Sequence, residues 1–453
     1  MATTKNAPST GHAIVVGGSL AGLLAARVLS DHYSRVSVIE RDRLPVEGVH
    51  RRGVPQSRHT HCLMASGRES MEELLPGLTE ALAAEGASLP DLHGECRWYL
   101  GGHRMRQAMA GTRALLASRP LLEGHLRDRT RALDNVSILD GREVAGLVVD
   151  DTGQGVAGVR LLPAPDRGEE TLRADLVVDA TGRGARGVAW LREAGFEAPT
   201  EEQVEIDLVY TTRHFRRRPD QLGHDRAIII TTGDNRRGGT MNAQEDDTWI
   251  VTLFGYVGEQ APVDLAGFTE FAGSLDSKDI HDVVRDSEPV GDGAIIRYPA
   301  SRRRHYQRLD RFPDRYLVLG DALCSFNPVY AQGMSVAATE ARLLGDCLRD
   351  GLHRPDTAGH GALAASFFAR VTPLLDVVWA MAVNEDLKYP EVQGERPPGI
   401  EEANAFLAQT YLAASRDLDV ARSLVRLVNL QDRPEALQDP VFTDRVREVA
   451  SRP

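Results

Sequence analysis

The first apolar run of the chain, Ala13-Ile14-Val15-Val16, has no polar interruption and stops at Gly17-Gly18. A short unbroken run of this kind reads as a strand buried on both faces of a parallel sheet. Leu20, Leu23 and Leu24 then open a helix, and Val36-Ser37-Val38-Ile39 is a second strand that ends on a carboxylate, Glu40. The same strand-into-glycine pattern returns at Asp175-Leu176-Val177-Val178-Asp179, which runs to Gly182, and at Tyr316-Leu317-Val318-Leu319, which runs to Gly320. Helical spacing of Met71, Leu74, Leu75 and Leu78 predicts a helix over about 67–86. Ser118 as cap with Pro120 in the first turn starts another. A long helix is expected over about 335–348, and periodic segments at 361–383, 401–414 and 416–429 predict a helical C-terminal region. Short β-rich stretches fall at 97–105, 136–139, 144–150 and 156–162. Those at 204–214, 226–232 and 248–256, with Gly233-Asp234-Asn235 as a turn, read as a separate antiparallel sheet. Loops are expected at 46–64, 163–168 and 394–399.

The first strand–turn–helix–strand unit carries chemistry. A turn of Gly17, Gly18, Ser19, Leu20, Ala21 and Gly22 presents backbone to whatever sits over it. The following helix offers unpaired N–H groups and the positive end of its dipole, so a pyrophosphate is favoured there. Glu40, with Arg41 next to it, stands where a carboxylate accepts the ribose hydroxyls of an adenosine. The middle glycine of the usual Gly-x-Gly-x-x-Gly pattern is Ser19, small enough to leave the approach open. The glycines also break the apolar helix a secretory signal needs, and no cleavage site follows, so export is not expected.

At 453 residues the chain accommodates two or three domains. A formal charge of −12 argues against a nucleic-acid partner. The arginine clusters at Arg51-Arg52, Arg216-Arg217-Arg218, Arg236-Arg237 and Arg302-Arg303-Arg304 are expected to be solvated, with one available for the phosphates of a nicotinamide cofactor. Cys62, Cys96, Cys324 and Cys347 include no CxxC pair, which fits a reducing, cytoplasmic setting with neither disulfide framework nor metal site. The apolar stretch from Leu374 to Val383 is interrupted by Asp376 and is too short for a membrane span.

The order of the glycine turn with Glu40, the strand-turn at 175–183 and the Gly320-Asp321 strand resembles the glutathione-reductase-type FAD fold. In particular it resembles the single-component flavoprotein monooxygenases of the p-hydroxybenzoate hydroxylase type, over about residues 12–345. That resemblance implies an α/β FAD-binding domain with an inserted antiparallel-sheet substrate domain and the helical C-terminal region. The FAD-binding domain would be discontinuous over 10–75, 105–195 and 296–348, the substrate domain would comprise 76–104 and 196–295, and the helical region would run over 349–453. It implies further that Asp321 bonds a ribityl hydroxyl, that Pro328 and Gln332-Gly333-Met334 lie beside the isoalloxazine ring, that Arg119 reaches the cofactor, and that the backbone of Val144 meets the adenine. Asp179, Thr181 and Gly182 form the middle motif. Here it is Asp179-Ala180-Thr181-Gly182-Arg183 instead of the monooxygenases' Asp-Gly, a variant similar to that of flavin halogenases and geranylgeranyl reductases. Gly53-Val54-Pro55-Gln56-Ser57-Arg58-His59-Thr60-His61 and Cys324 to Met334 resemble bacterial flavin epoxidases of polyene or terpenoid precursors, which are related to squalene epoxidase. His59 and His61, with Arg58, either lie along the flavin or pack the loop on its adenine half.

The implied reaction reduces FAD with NADH or NADPH, adds O2 to give a C4a-hydroperoxide, and transfers one oxygen to an electron-rich alkene or aromatic ring. The site over the ring should then be dry. Tyr210, Met241, Trp249, Val251, Leu253 and Tyr256 are the candidate substrate residues, or else pack the inserted sheet on the FAD domain; Trp249, Val251 and Leu253 alternate onto one face. A reductase of isoprenoid double bonds is the alternative. A halogenase is disfavoured: that family carries a lysine between the glycine turn and the middle of the chain and a Trp-x-Trp-x-Ile-Pro run, and here neither occurs, the lysines being Lys5, Lys278 and Lys388. No second glycine-rich unit exists for the nicotinamide cofactor, which fits transient binding, and the oligomeric state is left open.

Overall fold

The computed structural model describes residues 9–46, 48–163, 168–352 and 361–452. Most of the loop expected at 163–168 lies outside them. The apolar runs form one five-stranded parallel sheet, ordered Tyr316–Val318, Leu176–Asp179, Ser9–Val16, Tyr33–Ile39 and Val136–Leu139. Ala13, Ile14, Val15, Val177 and Val178 are fully buried, as strands covered on both faces must be. Helix Leu20–Ser30 packs against Arg119–Arg131 and against the long helix Gly333–Arg349. Two glycines set how close the first turn comes. A Cβ at Gly17, whose φ is +112°, would lie 2.3 Å from the Ala180 carbonyl oxygen, and one at Gly22 would lie 1.8 Å from the Gly17 carbonyl oxygen. A three-stranded antiparallel sheet, Val144–Val149, Val156–Leu161 and Glu170–Arg173, completes this layer.

The second body is an eight-stranded sheet, ordered Cys324–Ser325, Pro289–Arg304, Glu201–Arg216, Thr248–Gly255, Arg237–Gln244, Ala227–Ile230, Cys96–Leu100 and His103–Arg104. The pattern at 97–105 divides into the last two of these, and the first of them pairs parallel to Ala227–Ile230. Arg237–Gln244 escapes sequence reading because its residues, Arg-Gly-Gly-Thr-Met-Asn-Ala-Gln, carry almost no apolar alternation. Pro289–Arg304 escapes it for its two prolines, its glycines and its arginines, and is held instead by its ladder to Glu201–Arg216. A domain boundary at 295 therefore falls inside this strand, which stays in the large sheet to Arg304.

Period-2 alternation divides the large sheet into two faces. Trp249, Val251 and Leu253 do share a face, together with Met241, Phe215 and Ile228. That face packs on Phe268, Phe271, Ile280 and Val284 of helices Leu265–Ala272 and Asp279–Arg285, forming a core of its own. The opposite face carries Thr240, Asn242, Thr252, Phe254 and Tyr210, which look into a cavity.

The helix expected over 67–86 is two, Ala65–Leu74 and Leu78–Ala84, separated by Pro76 and by Gly77 in the left-handed region at φ +78°. Beyond residue 352 the described chain is helical: Ala362–Asp386, Ile400–Ala414, Leu418–Val428 and Pro440–Ala450. The last three close over Trp98, Leu100, Met105 and Ala227 at the outer edge of the large sheet. Ala362–Asp386 is the one helix among the described residues long and apolar enough to cross a membrane, longer than the sequence pattern suggested. It buries Phe367, Phe368, Val371, Leu375 and Val378 in the main core and packs on Gly333–Arg349.

Because the Gly22 Cβ position is filled by a backbone oxygen, Gly22→Ala is expected to cost on the order of 1–3 kcal/mol. The measurement is the urea midpoint at unchanged slope; a wild-type midpoint would show that the turn relaxes freely.

Candidate active site

The amino-terminal turn is held by a cluster of buried charges. Glu40 accepts the Gly18 N–H (2.9 Å) and the Asp42 N–H (2.9 Å). Arg51 lies 3.2 Å from Glu40, bonds Glu123 at 2.7 Å, and donates to the Gly18 carbonyl at 3.3 Å. Arg119 donates to Glu123 (3.0 Å) and to the Ser19 hydroxyl (3.0 Å), which in turn donates to Glu123 (2.9 Å). Burial works to raise the Glu123 carboxyl, but Arg119 and Arg51 outweigh it and hold the group below the usual glutamate range. The turn is thus braced by a cluster whose Ser19, Glu40, Arg51 and Arg119 line the cavity, with Glu123 behind them.

That side opens on a cavity of about 1100 Å³. Two helix amino-termini face it, at Leu20 and Gly333. Neither has a side-chain cap bond and neither carries an acid in its first turn, so their N–H groups remain available. Thr181, Gly182, Arg183, Gly320 and Asp321 line the stretch between them. A Cβ at Gly182 would meet nothing within 4 Å, and the nearest atom to one at Gly333 is an Asp321 carboxylate oxygen at 3.9 Å. The Thr181 hydroxyl and the Gln332 side-chain oxygen are buried without a partner. Asp321 is enclosed by protein yet faces the cavity; burial pushes its carboxyl up despite Arg119, Arg183 and Arg304 nearby. Beneath the middle turn, Asp179 is fully buried, accepting the Thr181 N–H (2.9 Å) and the Tyr316 hydroxyl (3.0 Å). An elongated cradle with a carboxylate at one end, two open helix termini and an unpartnered amide oxygen at Gln332 fits FAD.

A strap over residues 59–61 crosses the wall between cradle and sheet. The His59 imidazole bonds the Thr212 hydroxyl at 2.8 Å. Thr212 and Thr252 hydroxyls are 2.6 Å apart, and Thr252 donates to the Thr60 hydroxyl at 2.8 Å. Burial, reinforced by His214, Arg58 and His50, lowers His59 to about 4. Burial beside Arg119 lowers His61 to about 3. Both rings are neutral at neutral pH, and both line the cavity. Among the described residues no three His, Cys, Asp or Glu side chains group as a metal site, and all four cysteines are free thiols.

Past the strap the cavity becomes apolar. Leu92, Trp98, Leu100, Met105 and Ile229 form the sheet side, and Phe406, Leu407, Leu424 and Val428 form the helical side. Of the residues expected at the cofactor, Gly17, Ser19, Leu20, Ala21, Glu40, Arg41, His59, Arg119, Val144, Thr181, Gly182, Gly320, Asp321, Pro328, Gln332, Gly333 and Met334 line this space. Gly18, Gly22 and Asp179 stand behind the turns they shape. Arg58 is exposed and off the cavity wall. Of the substrate candidates Tyr210 and Tyr256 line it, whereas Met241, Trp249, Val251 and Leu253 point into the other core and are corrected to packing residues. The expectation of solvated arginine clusters fails at Arg51, Arg303 and Arg304, whose side chains are 7%, 6% and 4% exposed and ion-paired. Sequence reading also missed Arg142, Arg183 and the whole helical side. Those helices were legible as helices, but nothing in their spacing says which face meets a cavity.

The region 11–354 matches the family described as "FAD binding domain". "Protein Rv3254" of Mycobacterium tuberculosis is 36% identical over 436 residues, covering 93% of this chain and 90% of that one. Among solved structures, p-nitrophenol 4-monooxygenase PnpA of Pseudomonas putida DLL-E4 aligns with a TM-score of 0.64 at 19% identity, over 94% of this chain and 100% of that one. The flavin-dependent brominase Bmp2 aligns with 0.70 at 13% identity, over 97% and 98%. At such identities these two likenesses describe the fold.

Arg51→Ala leaves Glu40 and Glu123 without their shared partner and is expected to destabilise the folded chain by about 3–5 kcal/mol at neutral pH. Glu123 is held low in the folded state. Its contribution is therefore complete above the ordinary glutamate range and is lost as pH falls through the folded value. Urea midpoints of wild type and variant should converge on acidification; a gap that does not narrow would remove the ion cluster from the account.

Proposed function

The chain belongs to the FAD binding domain family, and we propose that it is an FAD-dependent monooxygenase that uses NAD(P)H and O2 to epoxidise or hydroxylate a hydrophobic natural-product intermediate of polyene, terpenoid or aromatic type. The observation that carries this reading is the continuity of one cavity from the dinucleotide cradle into an apolar chamber. Bound FAD supplies the electron transfer from the nicotinamide and the activation of O2. The protein's share is binding, orientation and dryness. Glu40 and the Leu20 helix terminus receive the adenosine and pyrophosphate, with Arg119 and Ser19 at the same turn. The Gly333 terminus offers N–H groups to the electron-rich end of the ring. The hydroxyl ladder Thr212–Thr252–Thr60 fixes the strap, so that neutral His59 and Tyr210, with ring centres 6.1 Å apart, form a rigid wall beside it. Leu92, Leu100, Ile229, Phe406 and Leu424 then surround the guest with hydrocarbon and keep water from the reacting oxygen. The nicotinamide cofactor binds transiently, and the enzyme works in the cytoplasm on a small molecule.

Purified yellow protein incubated with a polyene and phenol panel, NAD(P)H and ¹⁸O2 is expected to yield a product carrying one labelled oxygen, read by mass spectrometry. Saturation of an alkene without oxygen uptake would assign the isoprenoid-reductase alternative. Ile229→Trp, which fills the chamber away from the cradle, should retain FAD and lose at least about tenfold in labelled product. Full turnover in that variant would place the guest elsewhere.

A further inference from the structure

Asp386 closes the helix Ala362–Asp386, beyond the end of the family match at residue 354, and is fully buried. One of its carboxylate oxygens receives three donors: the Tyr330 hydroxyl at 2.8 Å, the Asn327 amide at 2.7 Å and the Tyr256 hydroxyl at 3.2 Å. The other oxygen has no partner. Asn327 also donates to the Tyr256 hydroxyl (2.7 Å), and its side-chain oxygen accepts the Val329 N–H (3.0 Å). This knot sits on the turn Pro328–Tyr330. The turn ends at Ala331 in the left-handed region, φ +54°, a strained conformation for a residue with a Cβ. One residue later Gln332 donates to the Val428 carbonyl at 2.8 Å, and Gly333 begins the long helix. The C-terminal helices therefore grip this turn at two points, and the turn lines the cavity.

We propose that Asp386 is a positioning residue for the flavin, holding the Asn327–Gln332 turn through Tyr330 and Asn327 and biasing the ring toward its oxidised state by its buried negative charge. This rests on the reading that the turn lies beside the isoalloxazine. Two-electron reduction with uptake of one proton leaves the ring anionic, so a fixed anion close by opposes it. The charge is itself conditional. Burial raises the Asp386 carboxyl to about 7 against the pull of Tyr330, Asn327 and Tyr256, with Glu385 adding to the rise. The negative end of its own helix acts in the same direction. The titratable groups facing it are Tyr256, Tyr330, Tyr210 and Glu385; burial raises all three tyrosines well above the ordinary range, so they stay neutral across the pH interval that matters.

The test is the reduction potential of bound FAD, measured anaerobically against a reference dye without substrate. At pH 8.5, where Asp386 is ionised, Asp386→Asn is expected to move the oxidised-to-reduced ratio on the order of tenfold toward reduced at a given dye potential. At pH 5.5, where the wild-type carboxyl is protonated, the two proteins should coincide. A gap of equal size at both pH values, or no gap, overturns the electrostatic role. Tyr330→Phe cuts the tie between Asp386 and the turn, so it should bind FAD several-fold more weakly, read by fluorescence quenching. Unchanged affinity in that variant overturns the positioning role, and decides the matter if Asp386→Asn does not fold. Neither measurement uses O2, so absence of oxygen transfer would sink the proposed function alone, whereas a chain that takes up no FAD overturns both.

Discussion

Two helices that pack against each other, Leu20–Ser30 and Gly333–Arg349, both begin at the same cavity, and no side chain caps either beginning. Orphan N–H groups at a buried helix end are costly unless something accepts from them. The rest of the molecule is arranged around that requirement. The parallel strands deliver the turns at residues 17, 182 and 320 to one end of the sheet, the ion cluster fixes the first turn through Gly18 and Ser19, and the cavity supplies the space for a long polar guest. Glu40 illustrates the division of labour. It is paired to Arg51 and to Gly18 and Asp42 N–H groups on the protein side, so it is fixed in place before any ribose arrives.

Much of the cradle was legible because its constraints are local. A turn that must let two backbones approach within a Cβ's reach requires glycine at Gly17 and Gly22, and continuous apolar runs announce buried parallel strands. The chamber was illegible for the converse reason. Its walls come from strands 96–100 and 227–230 and from helices after residue 400, and which side of each meets the space is decided by tertiary packing. Trp249, Val251 and Leu253 show the point sharply. Their alternation was real, yet a period of two says only that a face exists, and helices Leu265–Ala272 and Asp279–Arg285 claimed it. The strands Arg237–Gln244 and Pro289–Arg304 lack strand-like composition and exist because neighbours complete their hydrogen bonds.

Arginine shows the same limit in charge patterning. Adjacent arginines suggest a solvated face, and Arg52 is exposed, whereas its neighbour Arg51 is drawn into a network of three carboxylates. Sequence adjacency gives no warning of this, because the partners lie up to 72 residues away. The same holds at Arg303 and Arg304, which pair with Asp376 and Glu201 and so stitch the large sheet to the helices and to its own neighbouring strand.

The paired strands Glu201–Arg216 and Pro289–Arg304 are 16 residues each and run alongside one another for almost their full length. At ~3.3 Å per residue they form a rod of roughly 50 Å. One end is joined to Cys324–Ser325, immediately after the Gly320-Asp321 turn. The ladder between the two long strands slips register twice, between Glu205 and Leu208 and between Thr212 and His214, so bending of this girder is concentrated at those two irregularities while the paired stretches between stay straight.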